Sequence, residues 1–480
     1  MPPGENSFLR QSYFYAPFLI GCCTMNLDWK ELDRWLFGEA WTGTLIPQHA
    51  NMLCDTIGPR WSSSEGEHRA VSYIKDQFSQ ANLDNAQLEP FDLETWACDG
   101  VSLVDPNGSS IDVLPFNRCP PCDIQSPLVD VGYGTHHERR RIGSTLHGAI
   151  ALMYLEYEPF TPPVPIDQRL NDLKQDGAQA VIVIDRKRGG RVEYHNGGNW
   201  REPETAEAPL PVVTISRESA ARMRRELVKT LTLKVESRFY TATSHNVTAT
   251  LPGKYWPEES LVVGGHHDTV YGVPGGNDNA SGTIAVMETA RVLAKLREDL
   301  GIDPGMTIRF VTFSGEEQRF QGSIQYVRSH CHQQPAPRLA INLDELSTGH
   351  MKGLVLAFPH LREFIQQQFD HMNEDLVCHV MAQYDATSDH FPFLRAGIDT
   401  AHLWRWRFHG RHPDSDYHHE QQDTRDKLNV RELREYVAQL TRLMLRLSHV
   451  SPENWPENPQ TQAAVQEQLL QESGQVIRVS

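Results

Sequence analysis

The chain has 480 residues, 39% hydrophobic and 22% charged, which marks it as globular and long enough for two or three domains. Its 62 acidic and 45 basic residues leave a net charge of −17, which argues against nucleic acid or an anionic membrane as the main partner. Eight cysteines in a chain of this length are not a disulfide framework, and no run of about 18 apolar residues marks a transmembrane helix.

Residues 1–27 are set aside as a leader or extra N-terminal segment. Tyr13 to Cys23 is a short apolar run, and Leu19-Ile20-Gly21-Cys22 faintly resembles a lipoprotein cleavage site, but the preceding stretch is nearly uncharged and contains Glu5. Met25 is an alternative initiator. The expectation is a cytoplasmic protein, with secretion or lipid anchoring as the alternative if residues 1–22 are a signal. Asp28 to Phe37 then reads as a helix, followed by a helical stretch from Pro47 to Cys54 and a turn at Ile57–Arg60. Ser64 to Ala81 is amphipathic, with Ala70, Tyr73, Ile74 and Phe78 on one face and a Ser64/Glu67 capping box. Gln87 to Thr95 is extended. Cys119-Pro120-Pro121-Cys122 has metal-knuckle spacing but no second Cys pair, and reads as a structural turn.

Residues 123–236 change character and are expected to form a small inserted module. Its strands are Gly148–Met153, Val181–Ile184 and Leu210–Ile215, with helices at Leu170–Asp176 and Arg217–Leu231 and a polar loop from Arg186 to Ala208. From His245 the pattern is α/β. Strands at Leu261–Gly265, Met306–Phe313, Leu339–Leu343 and Thr400–Trp404 alternate with helices at Ser281–Glu298, Gly322–Ser329, Leu361–Met372 and Val430–Leu447, which implies a mainly parallel sheet covered on both faces. Segments 28–122 and 237–450 make up this main domain. Residues 451–480 read as a Gln/Glu-rich, partly disordered tail.

The chemistry lies at the strand ends, where ligands collect in such sheets. His266-His267-Asp268 follows an apolar run; His266 and Asp268 share a face, so Asp268 can hold the second nitrogen of a metal-ligating His266. Asp278 precedes the helix opened by Asn279-Ala280-Ser281-Gly282, and is either a cap or a carboxylate shared by two ions. Glu316-Glu317 would be costly at a buried strand end without counter-cations, so one ligates and the other takes a proton: Glu317 is assigned as ligand and Glu316 as base. Asp344 closes another strand. Of His418 and His419, chemistry alone selects neither, and His330, His332, His409 and His412 read as surface residues.

The segments GGHHDT, GGNDNASG, FSGEEQRFQGS, INLDE, TSDHFPFLRAGI and YHHEQQDT, in that order, resemble the M28 zinc metallopeptidases over roughly residues 50–98 and 245–447. The resemblance implies a three-layer α/β/α sandwich with a mainly parallel mixed sheet, two Zn²⁺ ions and a peptide substrate. It implies His266, Asp278 and Asp344 on one ion and Asp278, Glu317 and His419 on the other, His419 being four positions before Asp423 of the Asp-Thr pair. Asp268 matches the residue behind the ligating histidine and Glu316 the base. Ser388-Asp389-His390 matches a landmark near the substrate pocket, which makes His390 and Tyr384 candidates for substrate or oxyanion contacts. The 123–236 segment resembles a β-rich protease-associated (PA) domain, although its Arg186–Ala208 loop is unusually long.

These features lead to a di-zinc exopeptidase, with aminopeptidase action as the first expectation. Its rivals are a carboxypeptidase, with Arg405 or Arg407 of the Trp404–Arg407 stretch gripping a substrate carboxylate, a single-zinc glutaminyl cyclase, and a silent binding protein on the same scaffold. Oligomeric state is not legible.

Overall fold

The computed structural model describes residues 27–198, 207–332, 334–347, 351, 353–373, 376–380, 387–403 and 416–472. The chain opens with helices α1 (Trp29–Thr42), α2 (Ile46–Ala50) and α3 (Glu65–Gln80). A wider-wound turn, Asn51–Ile57, continues α2. Ser64 caps α3 by accepting from the Glu67 amide at 3.2 Å. The expected capping box does not close, because the Glu67 carboxylate turns inward and accepts from Ser244 Oγ at 2.8 Å.

After α3 come β1 (Asp84–Val104), β2 (Ser110–Ile111), β3 (Leu114–Pro115), β4 (Cys122–Asp130), α4 (His136–Ile142), β5 (Ile150–Tyr154), α5 (Ile166–Gln175), β6 (Ala180–Ile184), β7 (Val212–Ile215), α6 (Arg217–Arg225) and β8 (Thr230–Leu251). Strands β4, β5, β6 and β7 lie parallel in that order, with β3 antiparallel at the edge. Two-residue alternation sends Ile150, Leu152, Ile182, Ile184, Val213 and Ile215 to one face, where α6 packs. Ala151, Met153, Val181, Val183 and Val212 go to the other, against Leu170 and Leu173 of α5. Helix α6 ends well short of the expected Leu231, because Thr230–Val235 is a strand edge paired with β4. Cys119 and Cys122 are free thiols.

Strand β1 is longer than expected and pairs antiparallel with β8 along most of its length. β8 runs unbroken across residues 236–237: its first part pairs with β4 and its last part with the large sheet, so one strand links the two. The large sheet adds β9 (Trp256–His266), α7 (Ser281–Leu300), β10 (Met306–Phe313), α8 (Gln321–His330), β11 (Leu339–Asn342), β12 (Leu354–Leu356), α9 (Arg362–His371), β13 (His379–Val380), α10 (His390–Arg395), β14 (Thr400–Leu403) and α11 (Val430–Ser448). Its order is β13-β12-β14-β11-β9-β10-β8, with β14, β11, β9 and β10 mutually parallel. One face buries Val263, Ile308, Phe310 and Ile341 under α1, α3, α7 and α11; the other buries Val262, Val311 and Ala340 under Tyr326 and Val327 of α8 and Phe393 of α10. This is the α/β sandwich.

The tail expected to be partly disordered includes α12 (Gln462–Glu472). Val465 is fully buried against Phe320 and Phe391, and Asn458 Nδ2 donates to the Gly397 carbonyl at 3.2 Å. Among the described residues no helix is long and apolar enough to cross a membrane.

Candidate metal centre

The parallel strands β11, β9 and β10 end side by side, with Asn342 opposite Gly264 and Phe313 opposite His266. Side chains just beyond those ends therefore meet in one place. His266 Nε2 lies 3.3 Å from Asp278 Oδ1, 3.4 Å from Asp344 Oδ1 and 4.0 Å from Glu316 Oε2. His419 Nε2 lies 3.3 Å from Asp278 Oδ2 and 3.2 Å from Glu317 Oε2. Asp278 thus presents a different oxygen to each histidine.

The tautomers follow from what the other ring nitrogens touch. His266 Nδ1 is 3.1 Å from the Asp268 carbonyl and His419 Nδ1 is 3.2 Å from the Tyr194 carbonyl. A carbonyl only accepts, so both Nδ1 atoms donate and both Nε2 lone pairs face carboxylate oxygens. Acceptors facing acceptors need a proton or a cation between them. His266 Nε2 and both Glu317 oxygens are buried with no hydrogen-bond partner among the described residues. The donor set, imidazole and carboxylate, suits a divalent metal. Asp268 does stand behind His266, but its main-chain oxygen is the nearer acceptor; its carboxylate is 3.5 Å away and takes hydrogen bonds from Ser62 Oγ at 2.8 Å and the Glu316 amide at 3.3 Å.

The loops that carry these groups are pinned. Asp423 accepts from the amides of Asn277 and Asp278 at 2.8 and 2.9 Å. Asn279 Nδ2 donates to the Leu343 carbonyl at 2.9 Å, and Ser281 Oγ accepts from the Leu346 amide at 2.8 Å, so the start of α7 is tied to the segment bearing Asp344. Arg60, fully buried, donates to the carbonyls of His267, Pro274 and Gly275. Gly282 leaves room for this closure: a Cβ there would sit 2.0 Å from the Leu343 oxygen.

Electrostatics match an excess of buried carboxylate. Burial opposes charge on His266, but Glu316 and contacts with Asp268, Asp278 and Asp344 hold it well above the ordinary histidine range. Burial likewise opposes charge on His419, and Glu317 and Asp278 raise it. Burial, with Glu317, Asp389 and Asp344 adding to it against His266, pushes Glu316 well above the usual carboxylate range. Burial lifts Asp389 to about 7, with His266 opposing.

Sequence reasoning left His418 as the alternative to His419, named His390, and missed Glu193 and Glu345. His418 also faces the cluster, with Nδ1 2.9 Å from Asp278 Oδ2 and 3.2 Å from Glu345 Oε1, and its ring stacks on His419 at 3.5 Å. Glu193, His418 and His419 bring ligand atoms within 4.8 Å of one another, although Glu193 belongs to the polar loop after β6. The charge density of that loop was the available signal. His390 is buried at the start of α10 with its ring 5.0 Å from that of His402, and the adjacent Ser388 accepts from Asn342 Nδ2 at 2.7 Å. His332 is exposed as expected, but His330 is half-buried and paired with Glu89 at 2.8 Å. Tyr384, Trp404, Arg405, Trp406, Arg407, His409 and His412 lie outside the described residues.

Residues 246–444 match the profile described as Peptidase family M28. That stretch of the chain is an M28 peptidase domain by this match. Its relatives include Carboxypeptidase Q of Bos taurus, 26% identical over 290 residues, and Aminopeptidase YwaD of Bacillus subtilis (strain 168), 26% identical over 366 residues. The first match covers 58% of this chain and 60% of that protein; the second covers 74% of each. Among solved structures, a Peptidase M28 precursor from Shewanella amazonensis SB2B superposes with TM-score 0.73 at 18% identity, covering 90% of this chain and 99% of that one. BSAP, a zinc aminopeptidase from Bacillus subtilis, superposes with TM-score 0.67 at 22% identity, covering 86% and 98%. At these identities the two structures establish a shared fold.

Proposed function

We propose that this M28 protein is a di-zinc exopeptidase, and specifically an aminopeptidase that releases N-terminal residues. One observation carries the reading: the two oxygens of Asp278 point at two different histidines, each of which aims a lone pair at them and at a second carboxylate. On this reading His266, Asp278 and Asp344 hold one zinc, and Asp278, Glu317 and His419 hold the other. That BSAP is a zinc aminopeptidase supports the choice of metal. When bound, the two ions supply Lewis-acid polarisation of the scissile carbonyl and acidify water in the site.

The chain's own groups do the rest. Glu316 is the general base: its carboxylate takes the proton of the attacking water and returns it to the leaving amine. Its main-chain N–H donates to the Asp268 carboxylate at 3.3 Å, and both residues are buried, which fixes its position. Asp268 orients His266 through its main-chain oxygen. Tyr384 is proposed as an oxyanion donor and His390 as a pocket residue. Residues 123–236 are proposed to be a PA-like insert.

The name Aminopeptidase YwaD supports attack from the amino end, and the name Carboxypeptidase Q supports the reverse direction as the second reading. A peptide panel with free and blocked amino ends, read by mass spectrometry, tests the choice. Shortening of free-amine peptides from the N terminus is expected; C-terminal shortening of the blocked set alone would reverse the direction. Metal analysis of the same preparation tests the ion count: two zincs are expected, and a single ion with cyclisation of N-terminal Gln would replace this reading with a cyclase.

A further inference from the structure

The loop that follows β6 ends on the residues that carry His419. Asp185, buried at the end of the strand, accepts from the amides of Lys187 and Glu193 at 2.8 Å each and so folds the loop back on itself. From that base Lys187, 0% exposed, reaches across: its Nζ is 2.7 Å from Glu420 Oε1 and donates to the Asp416 carbonyl at 2.7 Å. Arg191 grips the same carboxylate with Nε and one terminal nitrogen, both at 2.7 Å, and its guanidinium lies over the Tyr417 ring. Further along the loop, the Tyr194 amide donates to the His419 carbonyl at 3.0 Å while His419 Nδ1 donates back to the Tyr194 carbonyl. The loop therefore holds His419 by its main chain and its ring, and holds Glu420 by two cations.

His419 needs such restraint. Its φ is +55°, a left-handed conformation that a β-carbon disfavours and that surrounding contacts must enforce. Asp423 anchors the far end of the same turn on the Asn277 and Asp278 amides. Buried ion pairs of the Lys187–Glu420 kind add little net stability once desolvation is counted, and their use is to specify one arrangement. A pair that served only to join two sheets would not have to fall beside a histidine that faces Asp278 and Glu317.

We propose that Lys187, Arg191 and the Tyr194 carbonyl are positioning groups for the metal centre: the small-sheet loop sets the rotamer and tautomer of His419, so one ion site is completed only when this loop is docked. This rests on the reading of His419 as a zinc ligand.

The test uses the full chain as wild type, Lys187→Met, Arg191→Gln and Arg191→Lys. Zinc affinity is measured by chelator competition, and the Co²⁺-loaded proteins are compared by visible absorption. Lys187→Met is expected to weaken one of the two ions by about 10-fold, the low end of what loss of a metal ligand's direct partner costs because Lys187 acts through the neighbouring Glu420, and to shift the Co²⁺ bands while kcat falls more than KM rises. Arg191→Gln moves all readouts the same way to a smaller extent, and Arg191→Lys, which keeps the charge but loses the fork, restores them in part. Wild-type affinity and bands in a folded Lys187→Met protein would overturn the inference. If Lys187→Met does not fold, unchanged affinity and bands in Arg191→Gln overturn it instead. A wild-type protein that takes up no zinc would fail the proposed function itself, and this inference with it.

Discussion

Replacing Glu288 by Gln tests how α7, the helix that starts beside Asp278, is locked in place. Glu288 is fully buried midway along α7 and accepts from Thr44 Oγ1 at 2.9 Å, the Leu45 amide at 3.0 Å and Arg291 Nε at 2.7 Å, with His49 Nε2 3.5 Å away. Burial disfavours its charge, but hydrogen bonds and charges from His49 and Arg291 win and bring its pKa from 4.5 down to about 2. A drop of 2.5 units at about 1.36 kcal/mol per unit makes the charged form worth about 3 kcal/mol to the folded state. Because the folded value is the lower one, this stability is fully present above pH 4.5 and is lost as pH falls toward 2. Glu288→Gln should therefore be less stable by about 3 kcal/mol at pH 7, and the gap should close toward pH 2. Denaturant unfolding of both proteins, stripped of metal by chelator and followed by circular dichroism across that pH range, gives the difference directly; protonation of the metal centre is common to both and cancels. A gap that stays constant with pH would refute the electrostatic reasoning, and an unchanged stability at pH 7 would refute the lock.

Three further outcomes follow from the site. Glu316→Gln keeps its metal content by elemental analysis and lowers kcat by about 10²- to 10⁴-fold with little change in KM; near-native turnover would remove Glu316 as the base. Gly282→Ala drives a methyl group to 2.0 Å from the Leu343 carbonyl and 2.5 Å from Asn279 Oδ1. It should cost about 1–3 kcal/mol in a thermal or denaturant melt, weaken metal binding and leave the small sheet's hydrogen-exchange protection intact. Stripping the metal should abolish turnover and lower the melting temperature, with zinc restoring both; at about 1,000-fold excess over its dissociation constant the ligand contributes about 4 kcal/mol. Chelation without effect on either would contradict a metal-dependent function.

The large sheet was legible because its strands are apolar runs separated by helices of clear periodicity, and the three strand ends that converge are each an apolar run closed by charge: Gly265-His266, Phe313 before Glu316, and Leu343-Asp344. Local pattern failed where partners distant in sequence decided the outcome. Glu67 satisfies the capping-box spacing, yet Ser244, 177 residues away, draws its carboxylate into the core. Arg217–Leu231 looks helical and basic throughout, yet pairing with β4 converts its end to strand. His330 reads as a surface residue until Glu89, 241 residues away, is brought beside it. The polar loop after β6 was visible as unusual in charge, but its purpose depends on residues more than two hundred positions downstream, and no periodicity within the loop encodes that.

The placement of charge explains why these long-range contacts are needed. Asp268, Asp278, Glu316, Glu317, Asp344, Glu345, Asp389 and Asp423 are all buried around the strand ends, and the first six lie within 4.0 Å of a ring nitrogen of His266, His418 or His419. Acids packed this densely repel one another, and each loses hydration. A fold that relied on these groups for stability would be badly served; one that holds them apart at fixed spacing until cations arrive is well served. The bonds that hold them are accordingly directed at backbone, not at the oxygens that face the histidines: Asp423 takes the Asn277 and Asp278 amides, Arg60 takes the carbonyls around His267 and Gly275, and Asn279 takes the Leu343 carbonyl. The carboxylates of Asp278, Glu317 and Asp344 are thus left facing the imidazole Nε2 atoms, an arrangement that is favourable only when positive charge, a proton on the ring or a cation, occupies the space between them.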